Sequence, residues 1–143
     1  MVHFFRRRAH HPDPDLFLQG QRLSMIEEHR FLGLVFDSCL CWDSHIRSLK
    51  LRCTKALILV RTCAHSTWGS DLQDFSEVQI YRTLVRSKLD YGCEIYRSAS
   101  RRRLALLDSV HHAGVRMSTG VFRSSPIPSL LCDAGELPLD VRR

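Results

Sequence analysis

The chain has 143 residues, of which 44% are hydrophobic and 25% charged, and this composition is typical of a globular protein and unlike a disordered tail. Its 21 Lys and Arg outnumber its 15 Asp and Glu, and the formal charge of +6 favours a polyanionic partner without indicating a fold. No apolar run approaches the roughly 18 residues of a membrane span, and the N-terminus lacks the order of a secretory signal. We therefore expect an intracellular protein, nuclear or cytoplasmic, with no membrane contact.

The N-terminal part of the chain predicts β structure with turns. Residues 2–5 favour a strand, and Gly20 supplies the turn of a hairpin whose arms are predicted at 16–18 and 21–25. The nearly apolar run 31–36 is short, which predicts one buried strand.

Further along, the period of the apolar residues changes from two to about 3.6. Asp43 is predicted to cap a first helix that ends at 68–70. A second helix is predicted from near Asp71 to about Lys88, and residues 90–92 break it. The apolar stripe of the first helix comprises Ile46, Leu49, Cys53, Ala56, Leu57, Val60 and Ala64.

Residues 93–98 favour a short helix, and Ser98 or Ser100 then caps a third clear helix that ends at Gly120. Its apolar face is predicted to contain Leu104, Leu107, Val110, Gly114 and Met117.

A last helix has Ser125 as its N-cap, Pro126 as its first residue and Gly135 as its terminator, and residues 136–143 begin another element. The fold class predicted from these elements is α+β. A short β-hairpin and strand segment over residues 1–40 precedes a mostly α-helical bundle over 41–143.

The first helix has a basic outer face, because residues 44–70 contain no Asp or Glu. A surface helix commonly gains stability from Glu–Lys pairs, so an acid-free face favours phosphate binding, with a solvated surface helix as the alternative. At about 100° per residue, four cations share one arc opposite the apolar stripe, with Arg52 at its margin. The candidate nucleic-acid contacts are Arg47, Lys50, Arg52, Lys55 and Arg61.

Large apolar residues also occur on this helix outside its core stripe. Leu51 and Ile58 lie inside the basic arc, and Leu59 lies off the stripe. Either the helix is sandwiched within this fold or it contacts a protein that the chain lacks. The second possibility gives an alternative function, a protein-interaction or orphan structural module.

No catalytic or metal motif is recognisable. The chain lacks a Walker loop and the GxGxxG, GxSxG and HExxH patterns. Cys39 and Cys41 are separated by one residue, not by the two that suit a zinc turn. We expect no metal or cofactor, and the six cysteines are predicted to be reduced and mostly buried.

Two ordered runs carry a family resemblance. Residues 31–37 read FLGLVFD and precede Leu40, Trp42, His45 and Ile46, while residues 84–92 read LVRSKLDYG. The pattern continues with Leu107, Asp108, His111, Ala113, Arg116, Gly120, Gly135, Pro138, Leu139, Arg142 and Arg143. Together these runs resemble the reverse transcriptases, RNA-directed DNA polymerases, of jockey-like non-LTR retrotransposons, in the segment beyond the catalytic palm.

The resemblance implies that residues 1–40 correspond to the end of the palm with its primer grip, including Phe31, Leu32 and Gly33. Residues 41–143 would be thumb and connection, which track a primer–template duplex through its backbone. The implied partner is an RNA–DNA or DNA duplex held without regard to sequence, besides polymerase domains that this chain lacks or a second copy of it. The family's catalytic carboxylates precede this segment, so no polymerisation by the chain alone is expected, and Asp37 is expected only to begin a turn.

Individual positions carry further expectations. Trp42 either stacks on a sugar or base or, as is commoner beside a helix start, belongs to the core. Arg86 and Tyr91 are expected to be architectural. Because a β segment without neighbours leaves its edges unpaired, a marginal or aggregation-prone fold is predicted.

Overall fold

The computed structural model describes residues 1–5, 12, 14–65 and 76–143, with the side chains of 63–65 and 76 outside that description. Within these residues two antiparallel strand pairs precede a set of helices, and the predicted α+β class is confirmed. The strands are β1 (Phe17–Leu18), β2 (Gln21–Arg22), β3 (Glu28–Phe31) and β4 (Leu34–Asp37). The helices are α1 (Asp43–His65), α2 (Ser76–Tyr81), α3 (Ser87–Asp90), α4 (Cys93–Tyr96), α5 (Arg101–Thr119), α6 (Ile127–Asp133) and α7 (Leu139–Arg142), and a π-helical turn, Arg82–Arg86, joins α2 to α3.

The first hairpin forms where the sequence predicts it, although its arms are shorter. Strands β1 and β2 pair over two residues each, and the turn residues Gln19 and Gly20 both have positive φ, at 50° and 79°. Two successive positive φ values define the primed turn that matches the twist of a two-residue hairpin.

The prediction of one buried strand over 31–36 is wrong. Strands β3 and β4 form a second hairpin in that region, with Phe31 paired to Leu34, and Leu32 and Gly33 make its turn at φ 46° and 82°. Strand β3 includes the polar residues Glu28, His29 and Arg30, and an apolar pattern alone does not predict that these residues form a strand. Leu34 is buried, whereas Phe31 and Leu32 are exposed at the hairpin tip.

Asp43 is the first helical residue of α1 and not its N-cap as predicted, and Asp37 organises the loop that precedes the helix. The Asp37 carboxylate accepts hydrogen bonds from the backbone N–H groups of Cys41, at 2.8 Å, and Trp42, at 2.9 Å. Asp43 is the first helical residue, where its charge still favours the helix N-terminus. The turn expected at Asp37 is confirmed by the hydrogen bond from Leu40 N to Asp37 O.

The core lies between α1 and the helices that follow it. All members of the predicted α1 stripe from Ile46 to Val60 are buried, and α1 packs most extensively on α5. Gly114 of α5 allows α2 and α1 to approach closely, since a Cβ there would lie 2.4 Å from Cε2 of Tyr81 and 3.0 Å from Cδ2 of Leu57. The Tyr81 hydroxyl and Nδ1 of His111 form a hydrogen bond of 2.5 Å, which satisfies two buried polar groups.

The predicted face of α5 needs one correction. Leu107, Val110 and Gly114 are buried as expected, but Met117 is exposed and Ser118 is buried in its place. Successive helical residues differ by about 100°, so the position next to Met117 faces α1 more directly. The predicted end of α5 at Gly120, which has φ 66°, is confirmed.

At the C-terminal end, α6 begins at Ile127, one residue after the predicted start, and Pro126 precedes it. Gly135 terminates the helix with φ 61°, as predicted, and the N–H of Glu136 bonds to Leu131 O at 2.8 Å. The element expected over residues 136–143 is α7.

Some predicted features lie outside the described residues. They are the end of the first helix at 68–70, the start of the second helix near Asp71 and the side chain of Ala64. Of the five cysteines that the structure describes, only Cys53 is buried, so the expectation of mostly buried thiols is wrong. No helix among the described residues is long and apolar enough to cross a membrane.

Candidate nucleic-acid interface

The five predicted contact residues lie on α1 but differ in solvent exposure. Arg47, Lys55 and Arg61 are exposed, whereas Lys50 and Arg52 are half-buried. Lys50 follows buried Ile46 by four positions, and Arg52 follows buried Leu49 by three, so these two cations flank the core stripe on opposite sides. The basic face therefore consists of an exposed centre and two partly covered margins.

Ion pairing distinguishes Arg47 from the other cations of α1. Its guanidinium lies 2.9 Å from the carboxylate of Asp43, which also pairs with Arg103 at 3.0 Å. Within the described part of the chain, the other four cations make no ion pair. Their charges are therefore available to an external anion.

Leu51, Ile58 and Leu59 are exposed beside these cations, at 57%, 61% and 58%. Among the described residues nothing covers these three side chains, which favours the alternative that α1 contacts another protein over a helix sandwiched within this fold. An exposed apolar strip of this kind is typical of a contact surface.

The tip of the β3–β4 hairpin is held against the end of α3 by Tyr91. Its phenol O–H donates to Leu32 O at 2.7 Å, and a Cβ built on Gly33 would lie 3.4 Å from Tyr91 Cε1. Gly33 thus allows both the turn and a close approach to Tyr91. The expected architectural role of Tyr91 has this contact as its physical basis.

A cleft of about 290 Å³ lies between α1 and α3. Its lining includes two cations from different elements, Arg52 and Lys88, together with His45 and Tyr91. Burial raises the pKa of the Cys53 thiol to about 11, although the charges of Lys88 and Arg52 oppose that shift, so both cations lie near the same buried atom. Lys88, which follows Ser87 in the LVRSKLDYG run, was not among the nucleic-acid contacts predicted from the sequence.

His45 is a buried member of the cleft wall. The backbone N–H of Val35 donates to its Nδ1 at 3.3 Å, and burial, followed by the charge of Arg52, lowers the pKa of His45 to about 4. The imidazole is therefore neutral near pH 7, and with Nδ1 as acceptor it has its hydrogen on Nε2.

A buried carboxylate that the sequence did not single out organises the other side of α2 and α3. Glu136 lies 2.7 Å from Arg82, 2.9 Å from Arg86 and 3.2 Å from Arg142. Arg142 also pairs with Asp90. Arg86 thus fulfils its expected architectural role through an ion pair. Glu136 is one of three acids near the C-terminus, with Asp133 and Asp140, so no sequence signal selects it.

Among the described residues, no three His, Cys, Asp or Glu side chains come together as a metal site would require. Trp42 is buried at 3% exposure, and its indole Nε1 donates to Ser98 Oγ at 2.9 Å. Its core interpretation is confirmed, so Trp42 does not stack on a nucleic acid.

Sequence comparison supports a reverse-transcriptase-like relation for this α+β chain. The chain is similar to the RNA-directed DNA polymerase from mobile element jockey of Drosophila funebris, with 30% identity over 95 residues. That match covers 64% of this chain and 10% of the relative, so the chain spans only a small part of the relative's length. No protein-family model matches the chain, and no solved structure matches it.

Proposed function

We propose that this chain is a non-catalytic fragment of a retrotransposon reverse transcriptase that contacts primer–template nucleic acid through the phosphate backbone. Its similarity to the jockey RNA-directed DNA polymerase supports the descent. In this proposal residues 1–40 are the palm end with its primer-grip-like tip at Phe31, Leu32 and Gly33. Residues 41–143 are the thumb-like and connection-like part.

The observation that carries nucleic-acid contact is the charge of α1. Four of its five outer cations have no ion-pair partner among the described residues, and after Asp43 the helix contains no acid. Phosphate contacts position a protein on a duplex without reading its sequence. An RNA–DNA or DNA duplex bound without sequence preference is therefore the proposed partner.

Fluorescence anisotropy of the full chain with a labelled RNA–DNA hybrid across a salt series tests this proposal. Replacing Arg47, Lys50, Lys55 and Arg61 with Gln should weaken binding and flatten its salt dependence. Each lost phosphate contact removes about 0.9 from the slope of log K against log salt, so four lost contacts remove roughly 3 to 4.

A control variant of equal charge replaces four other exposed arginines, Arg97, Arg101, Arg102 and Arg123, with Gln. It should retain most of the slope if binding is centred on α1. Equal losses of affinity and salt slope in both variants would show that hybrid binding depends only on net charge and not on α1. Absence of hybrid binding by the wild type at low salt would overturn the proposal.

A second candidate function rests on the exposed strip formed by Leu51, Ile58 and Leu59 on α1. As a protein-interaction module without a nucleic-acid role, the chain would self-associate or bind the apolar-sensitive dye ANS through this strip. Light scattering measures the oligomeric state, and ANS fluorescence is compared between wild type and a Leu51→Ser, Ile58→Ser variant. A monomeric wild type whose ANS fluorescence equals that of the variant would contradict this candidate.

A further inference from the structure

The cleft between α1 and α3 has the donors of an anion site but no acid to satisfy them. Its wall is formed by His45, Leu49, Arg52, Ser87, Lys88 and Tyr91, and none of these is Asp or Glu. Ser87 uses its hydroxyl hydrogen on Thr83 O. The positive charge of the cleft is therefore not neutralised by the residues that line it.

Two buried nitrogens at this cleft lack hydrogen-bond partners in the described structure, namely Nε of Arg52 and Nε2 of His45. His45 is 99% buried as a residue, since its exposure is 1%, and its Nδ1 is already occupied by Val35 N–H. The hydrogen on Nε2 is thus a donor without an acceptor. Buried donors are normally paired, so these two nitrogens of cleft-lining residues are donors that an anion from outside the chain can satisfy.

Lys88 adds a third donor group from a different element. Its ammonium donates one hydrogen to Leu84 O at 2.7 Å, which holds the side chain and leaves further N–H bonds available. The π-helical turn Arg82–Arg86 directly precedes Ser87, and π-helical turns in α-helices are frequent at functional sites. A guanidinium, an ammonium and an imidazole N–H together match the oxygens of a phosphate group.

We propose that this cleft binds a phosphate group, with Arg52, Lys88 and His45 as its donors. If the proposed duplex-binding function holds, on which this part of the inference rests, the occupant is one backbone phosphate of the bound strand. The hydrogen bond from Tyr91 to Leu32 O places the hairpin tip beside the cleft, with Phe31 and Leu32 exposed there. A free phosphate monoester presents the same chemistry, and the test separates the two sources.

The first measurement is a titration of the full chain with inorganic phosphate, against chloride at equal ionic strength. Binding is followed by the NMR resonances of the His45 imidazole. The test variants are Arg52→Gln and Lys88→Gln, and the controls of equal charge are Arg101→Gln and Arg102→Gln, both exposed at the start of α5. Wild type and controls should show a saturable shift at His45, and each test variant should bind phosphate at least about tenfold more weakly.

Arg52→Lys, which keeps the charge, provides a folded variant if Arg52→Gln does not fold, and it should bind phosphate with intermediate affinity because it loses the guanidinium geometry. The inference is overturned if phosphate does not perturb His45, or if test and control variants bind phosphate equally.

The second measurement repeats hybrid binding with the same single variants. A backbone phosphate in the cleft predicts that Arg52→Gln weakens hybrid binding more than Arg101→Gln and lowers the salt slope by about 1. If phosphate saturates the cleft but the two variants bind hybrid equally, the cleft takes a free phosphate and the backbone assignment is wrong. If wild type binds phosphate but no hybrid, the duplex-binding function fails while the cleft stands.

Discussion

Two buried histidines connect single residues to the stability of the fold. His45 accepts from Val35 N–H through Nδ1, and His111 shares a hydrogen bond with the Tyr81 hydroxyl. Burial, with help from Arg52 in one case and His112 in the other, lowers the pKa of each imidazole from 6.5 to about 4. Protonation of Nδ1 would break the hydrogen bond that His45 accepts, and for both rings burial disfavours the charged form.

We predict that the protein loses stability as the pH falls from 6.5 towards 4. In that window the unfolded chain takes up protons on these histidines and the folded chain does not, so protonation favours unfolding. The difference between 6.5 and about 4 corresponds to a loss on the order of 3 kcal/mol per histidine. Urea unfolding measured at several pH values checks this loss.

Histidine substitutions identify the source of the acid sensitivity. A His111→Gln variant should be less stable than wild type at pH 7.5 but should lose less on acidification. His29→Gln, at an exposed position on β3, serves as the control and should follow the wild-type profile. An unchanged pH dependence in His111→Gln would show that this residue does not contribute to acid sensitivity.

For single residues, the sequence predicted the structural role more accurately than the residues that each side chain contacts. It identified Asp37 as a turn residue and favoured a core position over stacking for Trp42, because short-range patterns carry that information. The acceptor role of His45 depends on Val35, ten positions earlier on another element. Spacing along one helix does not indicate such a contact.

Among the elements, the chain's end is joined to the central helices by charge as well as by apolar packing. The Glu136 side chain is fully buried and contacts arginines from the π-helical turn and from α7. A buried carboxylate is stable only when its charge is compensated, and here several guanidinium groups supply that compensation.

Replacing Glu136 with Gln should destabilise the protein by about 3 to 5 kcal/mol, because it leaves buried or half-buried guanidinium groups close together without their anion. Chemical denaturation monitored by circular dichroism measures the change. Glu94→Gln is the control, since its pair with Arg97 is exposed and should contribute less than about 1 kcal/mol. Equal effects of the two substitutions would contradict the structural importance of Glu136.

The elements also show where periodicity fails as a guide. Residues 31–36 are nearly all apolar and predict one strand, yet the chain reverses at Leu32 and Gly33. The tip residues are therefore exposed despite their hydrophobicity. The helices were predicted more accurately, because a stripe repeated over several turns is a longer signal than a six-residue run.

Across the whole molecule, buried and exposed apolar surface are unevenly distributed. The helical part is compactly packed, whereas the N-terminal part exposes Phe17 and Leu18 at 65% and 62%. It also forms an open apolar cavity of about 500 Å³, whose wall includes Phe4, Ile26 and Phe31. Short strands with exposed apolar side chains favour association between molecules.

A Phe17→Ser, Leu18→Ser variant should therefore aggregate more slowly while its free energy of unfolding changes by less than about 0.5 kcal/mol. Light scattering over time and urea denaturation measure the two quantities. Leu34→Ser, a substitution at a buried position of β4, should instead cost at least about 2 kcal/mol. Unchanged aggregation of the double variant would assign the association to another surface.

The sequence by itself determined the α+β class, the buried stripe of α1, the helix end at Gly120 and the acid-free basic face, because each depends on residues close together in the chain. Only the tertiary structure decided that Arg52 and Lys88 meet at one cleft, and that Glu136 compensates arginines about fifty positions away. The physical reason is that such contacts depend on how helices pack against one another, and helical periodicity specifies which face is buried but not which partner covers it.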